Sequence, residues 1–199
     1  MLKSKGRILE ASLLAALSLS LCVGTWASSK HSELSSQLVR LHVIAVSDDE
    51  YEQAIKLGVR DSVLAYLTPM LENVSDITDA KSIIGGHLTE IAEAAGKAAE
   101  GREVTVKLGR ESYPTRHYDT FSLPAGEYDS LRIVLGEGKG HNWWCVVFPP
   151  LCTVSTGADE IKSVMNKEDY SIITEEEGYV LKFRTLELWG KINEFLKSA

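Results

Sequence analysis

Six apolar residues in an unbroken row, Trp143-Trp144-Cys145-Val146-Val147-Phe148, constrain this chain more than any other feature. They are entered through Gly136-Glu137-Gly138-Lys139-Gly140 and closed by Pro149-Pro150. A run this short, rich in aromatic and β-branched residues and bounded by glycine and proline, reads as a strand. Extended backbone sends Trp143, Cys145 and Val147 one way and Trp144, Val146 and Phe148 the other. Both faces are then apolar. Either the strand is central and covered on both sides, or one face is an aromatic patch awaiting a partner, since tryptophan is enriched at binding hot spots. Core burial accounts for most of these residues, and each face is free to serve a different purpose.

The 199 residues are 44% hydrophobic and 25% charged, which suits one compact domain and excludes a disordered or fibrous protein. Lys and Arg number 21 against 28 Asp and Glu, a net charge of −7. Such a surface repels nucleic acid and anionic lipid, so no nucleic-acid partner is expected. The first 27 residues differ in kind. Lys3, Lys5 and Arg7 precede an apolar stretch from Ala11 to Val23, and Thr25-Trp26-Ala27 puts small residues at the −3 and −1 places of a signal-peptidase site. This is an export signal with cleavage expected near Ala27. The alternative is an uncleaved anchor, because Ile8 to Gly24 reaches the short limit of a membrane helix, ~17 residues. Glu10 within that span weighs against it, and Leu21 before Cys22 is too bulky for a lipoprotein site. Contact with a membrane is therefore expected only through residues 1–27, if they are retained. Residues 28–37 form a polar, serine-rich spacer and residues 38–199 a single domain, long enough to bury about 70% of its unfolded surface without a metal or disulfide.

Leu38 to Ala45 reads as a buried strand that tolerates Arg40 and His42. Ser47-Asp48-Asp49-Glu50 has the S-x-x-E pattern in which Ser47 caps a helix and Glu50 reaches back. The helix then runs from about 49 to 68, with Tyr51, Ile55, Val59 and Val63 on one stripe, and Pro69 is expected to stop it. A second helix is predicted from about 79 to 99, with a kink at Gly85-Gly86. Val104, Val106 and Leu108 alternate in a strand, Leu123-Pro124-Ala125-Gly126 is a turn, and Leu131, Ile133 and Leu135 alternate in the next strand. Beyond the Trp-Trp run, a short helix is expected within 156–171, a charged turn at Glu175-Glu176-Glu177, a strand through Tyr179, Leu181 and Phe183, and a final helix from about 185 to 197. This order predicts an α+β fold, its sheet mostly antiparallel, with helices packed on one face.

Several constellations invite chemistry. Gly136, Gly138 and Gly140 suggest an anion cradle, but Gly140 stands where a Walker loop needs a hydroxyl and the segment enters a strand rather than a helix, so a hairpin connection is the better reading. His141 and Cys145 share a parity that would bring a thiol and an imidazole together if both are extended, the arrangement of a thiol hydrolase. Against this, Cys145 sits in an apolar run that raises its pKa and shields it, and no residue can be assigned to orient the imidazole. Cys145 and Cys152 are either bridged or two buried free thiols, and the alternatives stay nearly even. A bridge needs the chain to double back at Pro149-Pro150, for which a cis proline bond would serve. His31, His42, His87, His117 and His141 lack metal-ligand spacing, so no metal and no cofactor are expected. Asp48-Asp49-Glu50 is explained by the dipole at a helix start.

The stretch from Gly136 to Cys152, Gly-Glu-Gly-Lys-Gly-His-Asn-Trp-Trp-Cys-Val-Val-Phe-Pro-Pro-Leu-Cys, closely resembles the signature of the stage II sporulation protein R family. Arg40-Leu41-His42-Val43-Ile44-Ala45, Lys56-Leu57-Gly58-Val59-Arg60-Asp61, Tyr113-Pro114-Thr115 and Leu123-Pro124-Ala125-Gly126-Glu127-Tyr128 add to the likeness. It departs at Val46, where the family pattern has Asn. The resemblance implies a signalling protein of endospore formation, not an enzyme: made in the forespore, secreted into the intermembrane space, and there activating a membrane-embedded aspartic peptidase that processes the sigma-E precursor. Trp143, Trp144, Gly138, Lys139, His141 and Asn142 are the expected contact residues for that peptidase. A secreted thiol hydrolase using Cys145 and His141, and a cell-wall or small-ligand module that stacks on the same aromatics, are the competing readings.

Overall fold

The computed structural model describes residues 12–22, 25, 34–118 and 121–151. Residues 12–22 are helical and exposed, and among the described residues no helix is long and apolar enough to cross a membrane. The elements that follow are β1 (Val39–Ile44), α1 (Glu50–Leu71), α2 (Ile77–Gly86), α3 (Leu88–Ala98), β2 (Val104–Tyr113), β3 (Arg116–His117), β4 (Ser122–Leu123), β5 (Gly126–Leu135) and β6 (Asn142–Phe148). The cleavage site at Ala27, most of the spacer, His31, Cys152 and everything expected between 156 and 197 lie outside the described residues.

The fold is α+β. Its main sheet has the order β2-β5-β1-β6, with β1 parallel to β5 and the other two pairings antiparallel. The long excursion through three helices lets β1 and β5 run in the same direction, because a parallel pair needs a crossover. All three helices lie on one face: α1 packs on β1 and β6, and α3 on β2. There Leu41, Val43, Leu131, Ile133 and Leu135 of the strands meet Val59, Val63, Leu67, Ile84 and Ile91 of the helices in one apolar cluster. The opposite face carries a second, smaller cluster in which Leu34, Leu38, Phe121, Leu123 and Leu151 pack against Tyr113, Tyr128 and Val146.

Four local expectations are corrected. Helix α1 runs through Pro69 to Leu71. Leu71 is 1% exposed, and its burial against the core holds the last turn although Pro69 donates no hydrogen bond. Ser47 does not cap this helix. Asp49 occupies the N-cap position without a side-chain cap bond, and the Ser47 hydroxyl donates to the Asp49 carboxylate instead. The helix expected over 79–99 is two, broken at His87 rather than at Gly85-Gly86, and the first begins at Ile77 because the Asp76 carboxylate accepts from the Thr78 and Asp79 amides. In β6 the pairing with β1 slips by one residue between Val39 and Arg40, so that Val39 faces Phe148 and Arg40 faces Val146. This irregularity turns Phe148 to the helix-covered cluster beside Val147, against the strict alternation expected.

Candidate partner-binding site

The Gly136–Asn142 segment is not the hairpin connection expected: β1 lies between β5 and β6 in the sheet, so the segment crosses over the end of β1, pressed onto the loop that joins β1 to α1. The Gly140 amide donates to the Ala45 carbonyl (2.9 Å), the Lys139 amide to Val46 (3.3 Å) and the Gly136 amide to Glu103 (2.8 Å). Glycine is required by closeness. A Cβ on Gly140 would stand 2.2 Å from the Ser47 carbonyl oxygen, and one on Gly138, which has φ +62°, would stand 2.6 Å from the Val134 side chain. These contacts make the loop a built feature rather than a loose tether.

Helix α1 locks it from beneath. Lys56 is 4% exposed, and its ammonium donates to the Gln53 side-chain oxygen and to the His141 carbonyl (3.1 Å). The Gln53 amide in turn donates to the Ser47 carbonyl (2.8 Å). Burial holds the Lys56 ammonium below the usual lysine range, with Asp48 acting in the opposite sense. The Asp48 carboxylate accepts from the His141 backbone amide and faces its Nδ1, both at 2.6 Å. Lys139, opposite, is exposed and pairs with Glu137 on the same loop.

Beyond the loop the two tryptophans part. Trp143 turns toward α1, where the Arg60 guanidinium lies over its ring at 4.5 Å, and it is 36% exposed, with Tyr51 the most exposed large hydrophobic side chain of the described domain. Trp144 turns to the helix-free face and is half-buried, with Arg116 stacked on one side (3.5 Å) and His42 on the other (5.5 Å between rings). Asn142 stands beside it, and its side-chain oxygen meets His42 Nε2 at 2.8 Å.

On that face lies a polar network that periodicity did not reveal. His42 Nδ1 sits 3.0 Å from both oxygens of Glu111, which also accepts from the Ser130 hydroxyl (2.9 Å) and pairs with Arg132 (3.2 Å). Arg40, fully buried, lies 4.0 Å over the Tyr113 ring and 4.9 Å over Tyr128, and donates to the Tyr118 hydroxyl (2.7 Å). Its Nε and Nη1 have no hydrogen-bond partner among the described residues. Burial pushes the Tyr113 and Tyr128 phenols well above the ordinary tyrosine value.

The structure brings Gly138, Lys139, His141 and Trp143 together at one end of the sheet, and turns Trp144, with the Asn142 side chain beside it at His42, onto the other face. His141 and Cys145 do not form a nucleophile and base. His141 precedes the strand, so the parity argument fails, and its side chain is exposed and turned to Asp48. Cys145 is 8% exposed and disulfide-bonded; Cys152, the partner expected for it, lies outside the described residues. Sequence reasoning gave no site role to Lys56, Arg60 or Glu111. Lys56 and Arg60 stand in the Lys56–Asp61 stretch that carries the family likeness, which was the available signal for both; for Glu111 none existed before the strand register was known.

A family model for stage II sporulation protein R matches residues 35–158. Stage II sporulation protein R of Bacillus subtilis (strain 168) is 34% identical over 140 residues, which cover 68% of this chain and 62% of that relative. The match thus spans a little less than two thirds of the relative's length. No solved structure matches.

Proposed function

Because this chain belongs to the stage II sporulation protein R family, we propose that its role in sporulation is that of a secreted messenger. It is released from the forespore into the intermembrane space and docks on the extracytoplasmic surface of the membrane-embedded aspartic peptidase that processes the sigma-E precursor. The observation that supports docking is the pinned loop itself. Lys139, Gly140 and His141 are fixed by backbone bonds to Val46 and Ala45 and by Asp48 and Lys56, and beside them Trp143 offers a part-exposed aromatic ring. A contact surface that is already ordered loses little entropy on binding. Activation then requires that the peptidase's active arrangement bind this surface more tightly than its resting one.

The experiment is replacement of Trp143 by Ala in a sporulating host, with secreted amount and melting temperature followed alongside processing of the precursor. Trp143 is held by Arg60 at the surface, so the variant should fold and be exported normally while processing falls at least about ten-fold, the equivalent of one lost hot-spot contact. Full processing by the folded, exported variant would refute this placement. Catalysis by the thiol makes a different prediction: replacing Cys145 and Cys152 by Ser would abolish signalling even where the secreted protein stays folded. A folded double variant that signals removes that reading.

A further inference from the structure

Strand register places Lys107, Arg132, His42 and Trp144 in a single row across all four strands of the helix-free face. Lys107 and Arg132 stand directly opposite each other on β2 and β5, a like-charge pairing that sheets ordinarily avoid. Lys107 is exposed and makes no ion pair among the described residues, and the Arg132 side chain is 47% exposed. Glu111, the nearby carboxylate, is already engaged by His42, Ser130 and one Arg132 nitrogen. Between Lys107 and Glu111 the strand carries Gly109, opposite Ser130 in the neighbouring row, where a Cβ would meet nothing within 4 Å, so there is free space beside the row of Lys107. The next row, Thr105, Val134, Ile44 and Asn142, runs up to the β5–β6 loop, whose Gly138 rests on Val134 and Ile44 and walls the strip on one side.

From this juxtaposition we propose that the strip centred on Lys107 and Arg132 receives an acidic, extended peptide segment of the partner, one carboxylate settling between the two cations. The proposal rests on the docking reading above and names the chemistry of what docks. Charge carries the choice of occupant. A chain with net charge −7 keeps an exposed Lys107 beside a half-exposed Arg132 that gives only one nitrogen to Glu111, and adjacent strands are ~4.8 Å apart, so one carboxylate can be reached from both. The strip is also continuous with the pinned loop, so a segment lying here touches Asn142 as it leaves.

The test uses the full chain and a fluorescein-labelled Gly-Glu-Gly-Glu-Gly-Glu-Gly peptide as probe, with binding read by fluorescence anisotropy at low salt. Lys107→Glu is the primary variant because it breaks no ion pair, and its melting temperature should equal the parent's. It should weaken binding about ten-fold or more, whereas Lys97→Glu, with the same change in net charge on the helix side, should alter it less than about two-fold. Equal effects of the two variants, or none from Lys107→Glu, would overturn the proposal. So would binding to phosphatidylglycerol vesicles that depends on Lys107 while the peptide fails to bind. In sporulating cells, Lys107→Glu combined with Arg132→Gln should stop precursor processing. If that double variant processes normally while Trp143→Ala does not, the strip is excluded and docking stands; if both process normally, both ideas fall.

Discussion

The two faces of the one sheet are built on different principles, and β1 shows it within a single strand. Leu41 and Val43 point to the helices and are enclosed by aliphatic side chains, whereas Arg40 and His42, their neighbours in sequence, are just as buried but enclosed by aromatic rings, a carboxylate and hydroxyls. The helix-covered face derives its stability from apolar area and close packing. The helix-free face accepts the desolvation of a guanidinium and holds a network of specific geometry in its place. The contrast teaches that the larger aliphatic cluster lies under the helices, while the other face combines a smaller apolar cluster with a polar network and, with the loop above it, presents ordered surface.

Truncation should separate the two most sharply. Leu41→Ala opens a cavity in the aliphatic cluster and should cost about 3 kcal/mol by denaturant unfolding. A loss under about 1 kcal/mol would mean that this face is not the principal source of stability.

The second expected effect is of pH. Tyr113 and Tyr128 have folded pKa values raised above the 10.0 of a free tyrosine by burial. Above that value the unfolded chain releases these phenol protons while the folded one retains them, so the stability present below pH 10.0 is lost as pH rises toward the folded values. Thermal unfolding from pH 8 to pH 12 should show a steady melting temperature and then a falling one. The phenolate absorbance that Tyr128→Phe removes should rise together with unfolding, and the same variant should flatten the fall. That difference signal appearing in a still-folded protein would show that this face is open to water.

Arg40→Met addresses the polar face directly. With Nε and Nη1 unpartnered, the guanidinium gives up more hydration than it recovers in hydrogen bonds, so an apolar side chain of similar length should change stability by less than about 1 kcal/mol. A loss as large as that of Leu41→Ala would show that the cation holds Tyr113 and Tyr128 in place. Smallest of all, Lys81→Ala removes a partly exposed bridge to Asp129 (2.7 Å) and should cost no more than about 0.5 kcal/mol, an amount that added salt already removes.

The aliphatic face was legible in the sequence and the polar face was not. Val104-Val106-Leu108 and Leu131-Ile133-Leu135 announce their strands because burial on one face leaves a period of two, and the α1 stripe of Ile55, Val59 and Val63 does the same for a helix. The Gly and Pro punctuation around the Trp-Trp run marked a loop and the bounds of a strand, but the loop crosses over β1 instead of closing a hairpin, because strand order is not a local property. Arg40, His42, Glu111, Ser130 and Asn142 come from four strands, and only the register, which local pattern does not encode, brings them into contact. For the same reason the helix break at His87 and the continuation through Pro69 escaped local rules, since both are decided by what the neighbouring core can bury. At the site, the loop residues and Trp143 were foreseeable from their unusual composition, but their clamp by Lys56 and Asp48 was not.

The most direct measurement is co-purification of the full chain with the membrane-embedded aspartic peptidase, both produced in a host that does not sporulate. Docking predicts that the two elute together, that Trp143→Ala abolishes this, and that cleavage of the sigma-E precursor follows the same order. Cleavage that proceeds undiminished with a variant unable to co-elute would contradict it.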